Sequence, residues 1–308
     1  MTHVQCMVLI PAGPATVREY LDDTIDSVNQ HMGPSNCTVA VLDDSRDGRF
    51  DDIRGAFPNL VVVKAADYDE GTRTVKRGSL FSKEIRALRV LLEEHQFDIL
   101  LKMDTDALII GDSPQRDVLA FMAQHPRVGM VGAYHRRGDG SDKAPAMAAK
   151  GRQLAEETRL RSVFRNPALM MTLRRLAKRA EAHGYTPGDT CTGGAYFLSS
   201  AVVQAMRKRG FLDLGVLRYS ALSEDSLMAL LCCASGYCLS DMPEDCDILA
   251  INWRGLPMPL EALVSRNKKI VHPIKDGDGV LEADVRAHFR TRRAGSMTRT
   301  DDRAASTP

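Results

Sequence analysis

The feature that most restricts the fold is an alternation of short apolar runs and amphipathic segments along the first two-thirds of the chain. A continuous apolar run is typical of a strand covered on both faces, as the strands of parallel sheets are. The amphipathic segments between the runs have the periodicity of helices, as at 17–28. The alternation predicts an α/β protein with a doubly wound, largely parallel sheet flanked by helices. The strand patterns cover 4–10, 38–42, 60–64, 97–103, 128–134 and 195–198.

Capping residues locate several helix starts in the sequence. Serine is favoured as an N-cap because its hydroxyl accepts a hydrogen bond from a free backbone N–H of the first turn. Proline directly after the cap and glycine after the last turn strengthen the prediction. The pattern predicts helices from Ser82 to about Leu92, from Ser113-Pro114 to about Gln124, from Ser199 or Ser200 to Gly210, and from Ser223 to about Ser235, followed by short strands around 237–240 and 248–251.

Composition excludes several classes of protein. The 308 residues include 41 Lys+Arg and 40 Asp+Glu, and 44% are hydrophobic, as in an ordinary globular domain. A formal net charge of +1 gives no reason to expect a nucleic-acid partner. No apolar run approaches the roughly 20 residues that span a bilayer, and 4–12 predicts a strand and not a signal peptide. The seven cysteines follow no export signal, so a cytoplasmic setting is expected.

Residues 136–188 depart from the alternation and are predicted to form an insertion over one edge of the sheet. They hold twelve Lys/Arg against five Asp/Glu, with helical patterns around 151–164 and 168–183. Such a basic helical surface could be a solvated face, a self-association surface of a homo-oligomer, or a site for an anionic partner or lipid surface. A single domain is expected over 1–290, and a disordered tail over 291–308.

The strongest candidate site is Asp104-Thr105-Asp106, directly after the strand pattern 97–103. Two carboxylates at i and i+2 of an extended chain point the same way. Their oxygens suit a hard divalent cation such as Mn²⁺ or Mg²⁺, which keeps coordination positions for a substrate phosphate. Ligands bind at the carboxyl ends of strands in open α/β sheets, although a solvated acidic turn would have the same sequence.

Two other acidic patterns have both a chemical and a structural interpretation. In Ser223-Glu224-Asp225, a carboxylate could act as a general base, or the acidic residues could simply stabilise the first turn of a helix. Asp43-Asp44 closes the second strand, where a carboxylate could bind a nucleoside or merely open a loop.

Two further segments could complete a ligand site. His272, in the sequence Val-His-Pro-Ile-Lys, could be a metal ligand, and Lys275 could neutralise phosphate, although a single histidine is more often an ordinary polar residue. Gly193 and Gly194, just before Tyr196, would allow close approach of the backbone to a ligand, or form a turn into a strand.

The order of these patterns resembles that of GT-A glycosyltransferases of the family 2 type. The similarity covers roughly residues 3–275 and is carried by VLIPA, VLDDS, FDILLKMDTD, GGAYFLS, SEDSLM and VHPIK. It implies a GT-A fold, which is a Rossmann-like mixed sheet flanked by helices. It also implies a metal-dependent, hexosyltransferase-type enzyme that moves a sugar from a nucleoside-diphosphate sugar, by default a UDP-sugar, to a hydroxyl acceptor.

The resemblance also implies a role for each matching residue. Asp104, Asp106 and His272 would bind Mn²⁺ or Mg²⁺. Asp225 would be the general base, with Glu224 beside it, and the anomeric configuration would invert, although a retaining route stays open. Gly193, Gly194 and Tyr196 would border the donor sugar or the acceptor. The nucleotide and donor would be bound by Pro11, Ala12, Asp43, Asp44, Lys102, Asp104, Thr105, Asp106 and Lys275.

The chain also departs from part of the family pattern. No QxxRW-like segment follows Asp225, since the only tryptophan is Trp253 in INWRG. This disfavours a processive, membrane-integrated synthase and favours a soluble enzyme with a small-molecule or oligosaccharide acceptor.

Other classes of protein remain open on the sequence. In a phosphatase of the haloacid-dehalogenase type, Asp104 would be the nucleophile and Asp106 the acid/base, although about a hundred residues precede the motif. A sugar-nucleotide nucleotidyltransferase would have a fuller glycine-rich basic loop than PAGPATVREY. A non-catalytic sugar-nucleotide-binding protein is the third alternative.

Overall fold

The computed structural model describes residues 2–45, 47–65, 77–277 and 279–304, with side chains as far as residue 295. The chain forms ten strands in these ranges: β1 (Thr2–Ala12), β2 (Cys37–Asp43), β3 (Leu60–Lys64), β4 (His95–Met103), β5 (Leu108–Ile109), β6 (Val128–Gly132), β7 (Ala195–Ser199), β8 (Cys238–Ser240), β9 (Leu249–Ile251) and β10 (Ile270–His272).

Seven of these strands form one mixed, mainly parallel sheet in the order β3-β2-β1-β4-β7-β6-β8. The pairs β1–β2, β1–β4, β2–β3 and β6–β8 are parallel, and β7 is antiparallel to both of its neighbours. The predicted α/β class and largely parallel sheet are confirmed. Because β1, β2 and β4 are parallel, their carboxyl ends lie along one edge of the sheet. A second sheet, in the order β5-β10-β9, lies beside the main one.

Helices cover both faces of the main sheet. Along β1, Met7 and Leu9 belong to one apolar core, while Val8 and Ile10 belong to the other. This alternation explains why β1 has no polar face. The helices are α1 (Arg18–Met32), α2 (Gly78–Glu94), α3 (Pro114–Gln124), α4 (Ala144–Thr158), α5 (Pro167–Glu181), α6 (Ser200–Lys208), α7 (Glu224–Ala234), α8 (Leu260–Ser265) and α9 (Glu282–Ala304).

Not every predicted cap is found at a helix start. Ser199 caps α6, since its hydroxyl accepts the Val202 N–H. Ser82 is wrong as a cap, because α2 begins at Gly78 and Ser82 is buried within the helix. Ser113 and Ser223 precede α3 and α7 as predicted, but neither side chain accepts a backbone N–H of its helix.

The basic segment 136–188 contributes α4, a 3₁₀ turn at Leu160–Phe164, and α5. On α5, Leu169, Leu173 and Leu176 are buried in the core that also includes residues of α7. The first helix of the segment begins earlier than predicted, at Ala144. Directly before it, the Lys143 ammonium donates to the Ala133 and Thr190 carbonyls.

The predicted tail, 291–308, is described only in part. Residues 291–304 belong to α9, and 305–308 lie outside the described residues. A charge cluster that joins α9 to α1 holds the first part of this helix, and composition does not reveal it. Asp23 is buried and accepts hydrogen bonds from Arg286, Arg290 and Arg293 of α9. Burial alone would raise the pKa of Asp23, but the hydrogen bonds from Arg290 and Arg286 hold it below its usual value.

No helix within residues 2–45, 47–65, 77–277 and 279–304 combines the length and apolar composition that a bilayer span requires.

Candidate active site

The carboxyl edge of the main sheet brings several predicted residues together. Ala12 and Asp43 are register partners at the ends of β1 and β2, and the Asp44 N–H donates to the Ala12 carbonyl at 2.8 Å. Asp104 directly follows the adjacent strand β4. This is the edge at which open α/β sheets bind ligands.

Asp104, Asp106 and His272 form a compact cluster at this edge. One ligand atom from each residue lies within 4.8 Å of the others. His272 Nε2 lies 3.7 Å from Asp104 Oδ2 and 3.5 Å from Asp106 Oδ2. The second sheet explains how a histidine so distant in sequence arrives there. Strand β10, which ends at His272, pairs with β5 just after Asp106, and the Ile274 N–H donates to the Asp106 carbonyl at 3.0 Å.

A backbone carbonyl fixes the orientation of the His272 ring. His272 Nδ1 lies 3.0 Å from the Asn252 carbonyl oxygen, which can only accept a hydrogen bond, so Nδ1 carries the proton. Nε2 is therefore the ring nitrogen that faces the two carboxylates. This arrangement, with the second ring nitrogen held by an acceptor, is the one that metal-binding histidines normally have.

The donor set fits a hard divalent cation. Two carboxylates and one imidazole nitrogen are common ligands of Mn²⁺ and also accommodate Mg²⁺. Burial alone would raise the pKa of Asp106, but the His272 ring and the Lys275 ammonium, 3.1 Å away, hold it well below its usual range. Asp106 is therefore ionised at neutral pH, as a metal ligand must be.

A buried ammonium group lies directly behind Asp104. Lys102 is 2% exposed, and its Nζ donates to Asp104 Oδ1 at 2.6 Å and to the Gly193 carbonyl at 2.7 Å. It also lies 3.5 Å from Glu224 Oε2. The sequence resemblance implied that Lys102 binds nucleotide or donor. That role stays a prediction, and in the structure Lys102 is covered by protein and hydrogen-bonds to Asp104 and Gly193.

The Gly193-Gly194 segment separates the carboxylate–histidine cluster from the start of α7. The Asp104 N–H donates to the Gly194 carbonyl at 2.9 Å. A Cβ atom on Gly194 would lie far inside van der Waals contact of the His272 ring, whereas one on Gly193 would lie 3.1 Å from Glu224 Oε2 and 3.4 Å from Asp225 Cβ. The two glycines therefore place Asp225 and His272 on neighbouring sides of a single backbone segment.

Glu224 and Tyr196 point into the protein. Tyr196 is completely buried and donates its hydroxyl to Glu224 Oε1. Burial raises the pKa of Glu224 from 4.5 to about 7, although the Lys102 charge acts in the opposite direction. The two side chains therefore hydrogen-bond each other in the protein interior, and the ligand contact that the resemblance implies for Tyr196 stays a prediction.

Asp225 is more accessible than Glu224, with 15% of its side chain exposed. Its Oδ1 accepts the Ser223 hydroxyl and the Ser226 N–H, the latter at 2.8 Å. Lys150 of α4 donates to the Ser223 hydroxyl and lies 3.7 Å from the same carboxylate oxygen. Among the described residues, every hydrogen bond to this carboxylate goes to Oδ1 and none goes to Oδ2.

The remaining predicted nucleotide residues have their own protein contacts. Asp43 is buried, and its Oδ1 accepts the Ser45 N–H at 2.8 Å. Asp44 is partly exposed and pairs with Lys83 at 2.6 Å. The Thr105 carbonyl accepts hydrogen bonds from Thr24 and from Arg286, so the turn between the two aspartates is tied to α1 and α9.

Sequence reasoning missed several residues that shape this site. Asn252 orients His272, and its one sequence signal is its position directly after strand β9. Glu84 is completely buried beside Glu224 in the apolar stripe of α2 that includes Phe81 and Leu88. An acid at a core position of an amphipathic helix is a visible sequence signal. Lys150 had no such signal, because it is one of many basic residues in 136–188.

A cavity of about 310 Å³ lies elsewhere in the fold. It is formed by the loop that follows β6 together with segments around 241–249 and 266–268. Its walls include both arginine and aspartate side chains, such as Arg137 and Asp241. None of the clustered residues Asp104, Asp106 and His272 lines it, so it is separate from the candidate site.

Comparisons with known proteins add similarity only at the level of solved structures. No protein-family model and no curated protein matches the sequence. The chain is similar to S. aureus TarS residues 1–349 in complex with UDP, with 19% identity and a TM-score of 0.31 over 42% of this chain. It is also similar to a second S. aureus TarS structure, with 14% identity and a TM-score of 0.42 over 78% of this chain. The matches span 35% of each TarS chain. Because both TM-scores are low, the site is interpreted from the residues of this chain.

Alanine at Gly194 should disrupt the site much more than alanine at Gly193. A Cβ on Gly194 collides with the imidazole of His272, whereas the contacts at Gly193 require shifts of only a few tenths of an ångström. We expect Gly194→Ala to lower the free energy of unfolding by about 2 kcal/mol or more, as strain at a packed position does. Urea denaturation measures the difference. Equal losses in the two variants would contradict the described packing.

The raised pKa of Glu224 makes the stability of the protein depend on pH. The folded-state pKa of Glu224, about 7, exceeds the ordinary value of 4.5. The stabilisation that protonated Glu224 gives the folded state is therefore complete below pH 4.5 and is lost as the pH rises through 7. The loss is on the order of 3 kcal/mol. Unfolding measured across this pH range should show a flatter profile for Glu224→Gln than for the wild type. The exposed Glu93→Gln variant is the control and should keep the wild-type slope. An unchanged slope in Glu224→Gln would contradict the assignment.

Proposed function

We propose that the protein is a metal-dependent glycosyltransferase that moves a sugar from a nucleoside-diphosphate sugar to a hydroxyl acceptor. The observation that carries the proposal is the cluster of Asp104, Asp106 and His272 at the carboxyl edge of a mainly parallel sheet. The order of sequence motifs that resembles GT-A glycosyltransferases supports the same function, with a UDP-sugar as the default donor.

The proposed reaction requires a stabilised leaving group. When bound to the cluster, Mn²⁺ or Mg²⁺ supplies Lewis-acid stabilisation of the diphosphate that departs. Asp104 and Asp106 hold this position because Lys102, the Thr105 carbonyl contacts and strand β10 fix the turn between them. Lys275 is 66% exposed beside Asp106 and can therefore reach a phosphate oxygen.

Asp225 is the proposed general base. The acceptor hydroxyl oxygen forms a bond to the anomeric carbon while the bond from that carbon to the diphosphate oxygen breaks. The hydroxyl proton passes to Oδ2 of Asp225, and the nucleoside diphosphate leaves with the bonding electron pair. Direct attack of this kind inverts the anomeric configuration. The hydrogen bonds from Ser223 and Ser226 to Oδ1 hold the carboxylate in position for the transfer.

The nucleoside is proposed to lie over the ends of β1 and β2. Pro11 and Ala12 supply backbone at this edge, and the partly exposed Asp44 is better placed to meet a ribose or base than the buried Asp43. A small-molecule or oligosaccharide acceptor would then enter beside Gly193 and Asp225.

The geometry favours a transferase over a phosphatase of the haloacid-dehalogenase type. In that phosphatase Asp106 would have to donate a proton. Its pKa is held well below the usual range, which favours the ionised form that a metal ligand needs over the protonated form that such an acid needs. Asp104 is also paired with the buried Lys102, which suits a fixed ligand more than an attacking nucleophile.

A thermal-shift panel of nucleoside diphosphates, with and without Mn²⁺, tests the binding half of the proposal. One nucleotide should raise the melting temperature by several degrees only when Mn²⁺ is present, because a ligand stabilises the folded state in proportion to its occupancy. Asp106→Ala should abolish this shift. Asp98→Ala, which removes an exposed carboxylate from strand β4, is the matched control. A panel with no metal-dependent shift would contradict the proposal.

Turnover of the matching sugar nucleotide tests the role of Asp225. Asp225→Asn should lower the rate about 10²- to 10⁴-fold, the usual contribution of a general base, and leave the metal-dependent shift intact. The anomeric configuration of the product, read by NMR, should be inverted. Hydrolysis of simple phosphoesters without a sugar nucleotide would favour the phosphatase, and binding without turnover would favour a non-catalytic protein.

A further inference from the structure

Among the described residues, exposed large apolar side chains are concentrated in the basic segment 136–188. Of the seven large hydrophobic residues that are exposed among the described residues, four lie between positions 160 and 171. Phe164 is 92% exposed, Leu160 72% and Met171 65%. The 3₁₀ turn that carries the first two contributes no buried residue at all. Apolar side chains grouped in this way mark a surface that contacts another apolar phase.

The segment that holds these apolar side chains is also rich in positive charge. Residues 159–179, here called the basic–apolar surface, contain seven Lys/Arg and no Asp/Glu. Arg159 and Arg161 pair with Glu156 of α4, just outside the surface. The excess of positive charge is concentrated in this segment, since the formal net charge of the whole chain is only +1.

Helix α5 separates a core face from an exposed face. Leu169, Leu173 and Leu176 are buried at helical spacing, which anchors the helix to the protein. Met171 and Arg175 are exposed on the same helix. An apolar side chain among arginines, next to the protruding Phe164, is the pattern of interfacial segments that lie in the headgroup region of a membrane.

We infer that the basic–apolar surface docks the protein onto an anionic phospholipid bilayer. The arginines would lie among the negative headgroups while Phe164, Leu160 and Met171 enter the acyl boundary. This inference concerns the location of the protein and holds whether or not the proposed glycosyl transfer is correct.

Two other occupants explain the surface less well. In a twofold dimer formed through this surface, each patch would face its own copy, so two surfaces with an excess of positive charge would meet, although Glu156 pairs with Arg159 and Arg161. A nucleic acid would satisfy the arginines, but Leu160 and Met171 would gain nothing from a phosphodiester backbone. A charged bilayer accommodates both the cations and the aliphatic groups.

Flotation with lipid vesicles tests the inference on the whole chain. The protein should float with vesicles of equimolar phosphatidylcholine and phosphatidylglycerol but not with phosphatidylcholine alone, and added salt should weaken the binding. Phe164→Ser and the double variant Arg165→Glu/Arg175→Glu should each weaken it about tenfold or more. All three side chains are exposed, so circular dichroism should show an unchanged fold.

Matched variants elsewhere on the surface serve as controls. Leu281→Ser removes another exposed apolar side chain, and Arg116→Glu/Arg127→Glu makes the same change in net charge. Both should keep wild-type binding. Failure to float with anionic vesicles at low salt, or equal losses in the controls, would overturn the inference. A dimer in analytical ultracentrifugation that Phe164→Ser dissociates, without vesicle binding, would overturn it in favour of self-association.

Discussion

The buried ammonium of Lys102 is the interaction on which the rest of the site depends. Burying a cation costs several kcal/mol unless it is paired and fully hydrogen-bonded. Burial alone would lower the pKa of Lys102, but the charges of Asp104, Glu224 and Glu84 outweigh it and hold the pKa above its usual value. One side chain thus fixes the Asp104–Asp106 turn after β4, the Gly193 backbone and the acidic start of α7 relative to one another.

The candidate site is held from several directions besides that of Lys102. Strand β10 brings in His272, and the Asn252 carbonyl selects the ring tautomer. On the opposite side, Arg286 of α9 donates to the Thr105 carbonyl between the two aspartates at 2.8 Å. The segment 136–188 reaches the site as well, because Lys150 of α4 contacts Ser223. The basic–apolar surface starts just beyond the end of the same helix, so one insertion supplies both a site contact and the proposed membrane surface.

The sequence was sufficient for the sheet and for the central carboxylates, and less so for what surrounds them. Apolar runs such as β1 and β4 determine strands locally, because each is buried on both faces. Asp104 and Asp106 follow such a run directly, so their position needed no tertiary information. The direction in which a side chain points did require it. The sequence resemblance places Tyr196 and Glu224 beside a ligand. In the structure both side chains are buried, and the Tyr196 hydroxyl donates a hydrogen bond to Glu224. The packing of α9 against α1 depends on Asp23, which lies more than 250 residues from Arg286 and Arg290 and which no local pattern reveals.

The most direct measurement of the central claim is pulsed electron paramagnetic resonance of the Mn²⁺-loaded protein. If Asp104, Asp106 and His272 bind the ion, the spectrum should show coupling of the electron spin to a directly bound imidazole nitrogen. Uniform labelling of histidine with ¹⁵N should change that coupling, and His272→Gln should remove it. A bound Mn²⁺ with no nitrogen coupling, or with a coupling that survives the substitution, would contradict the account.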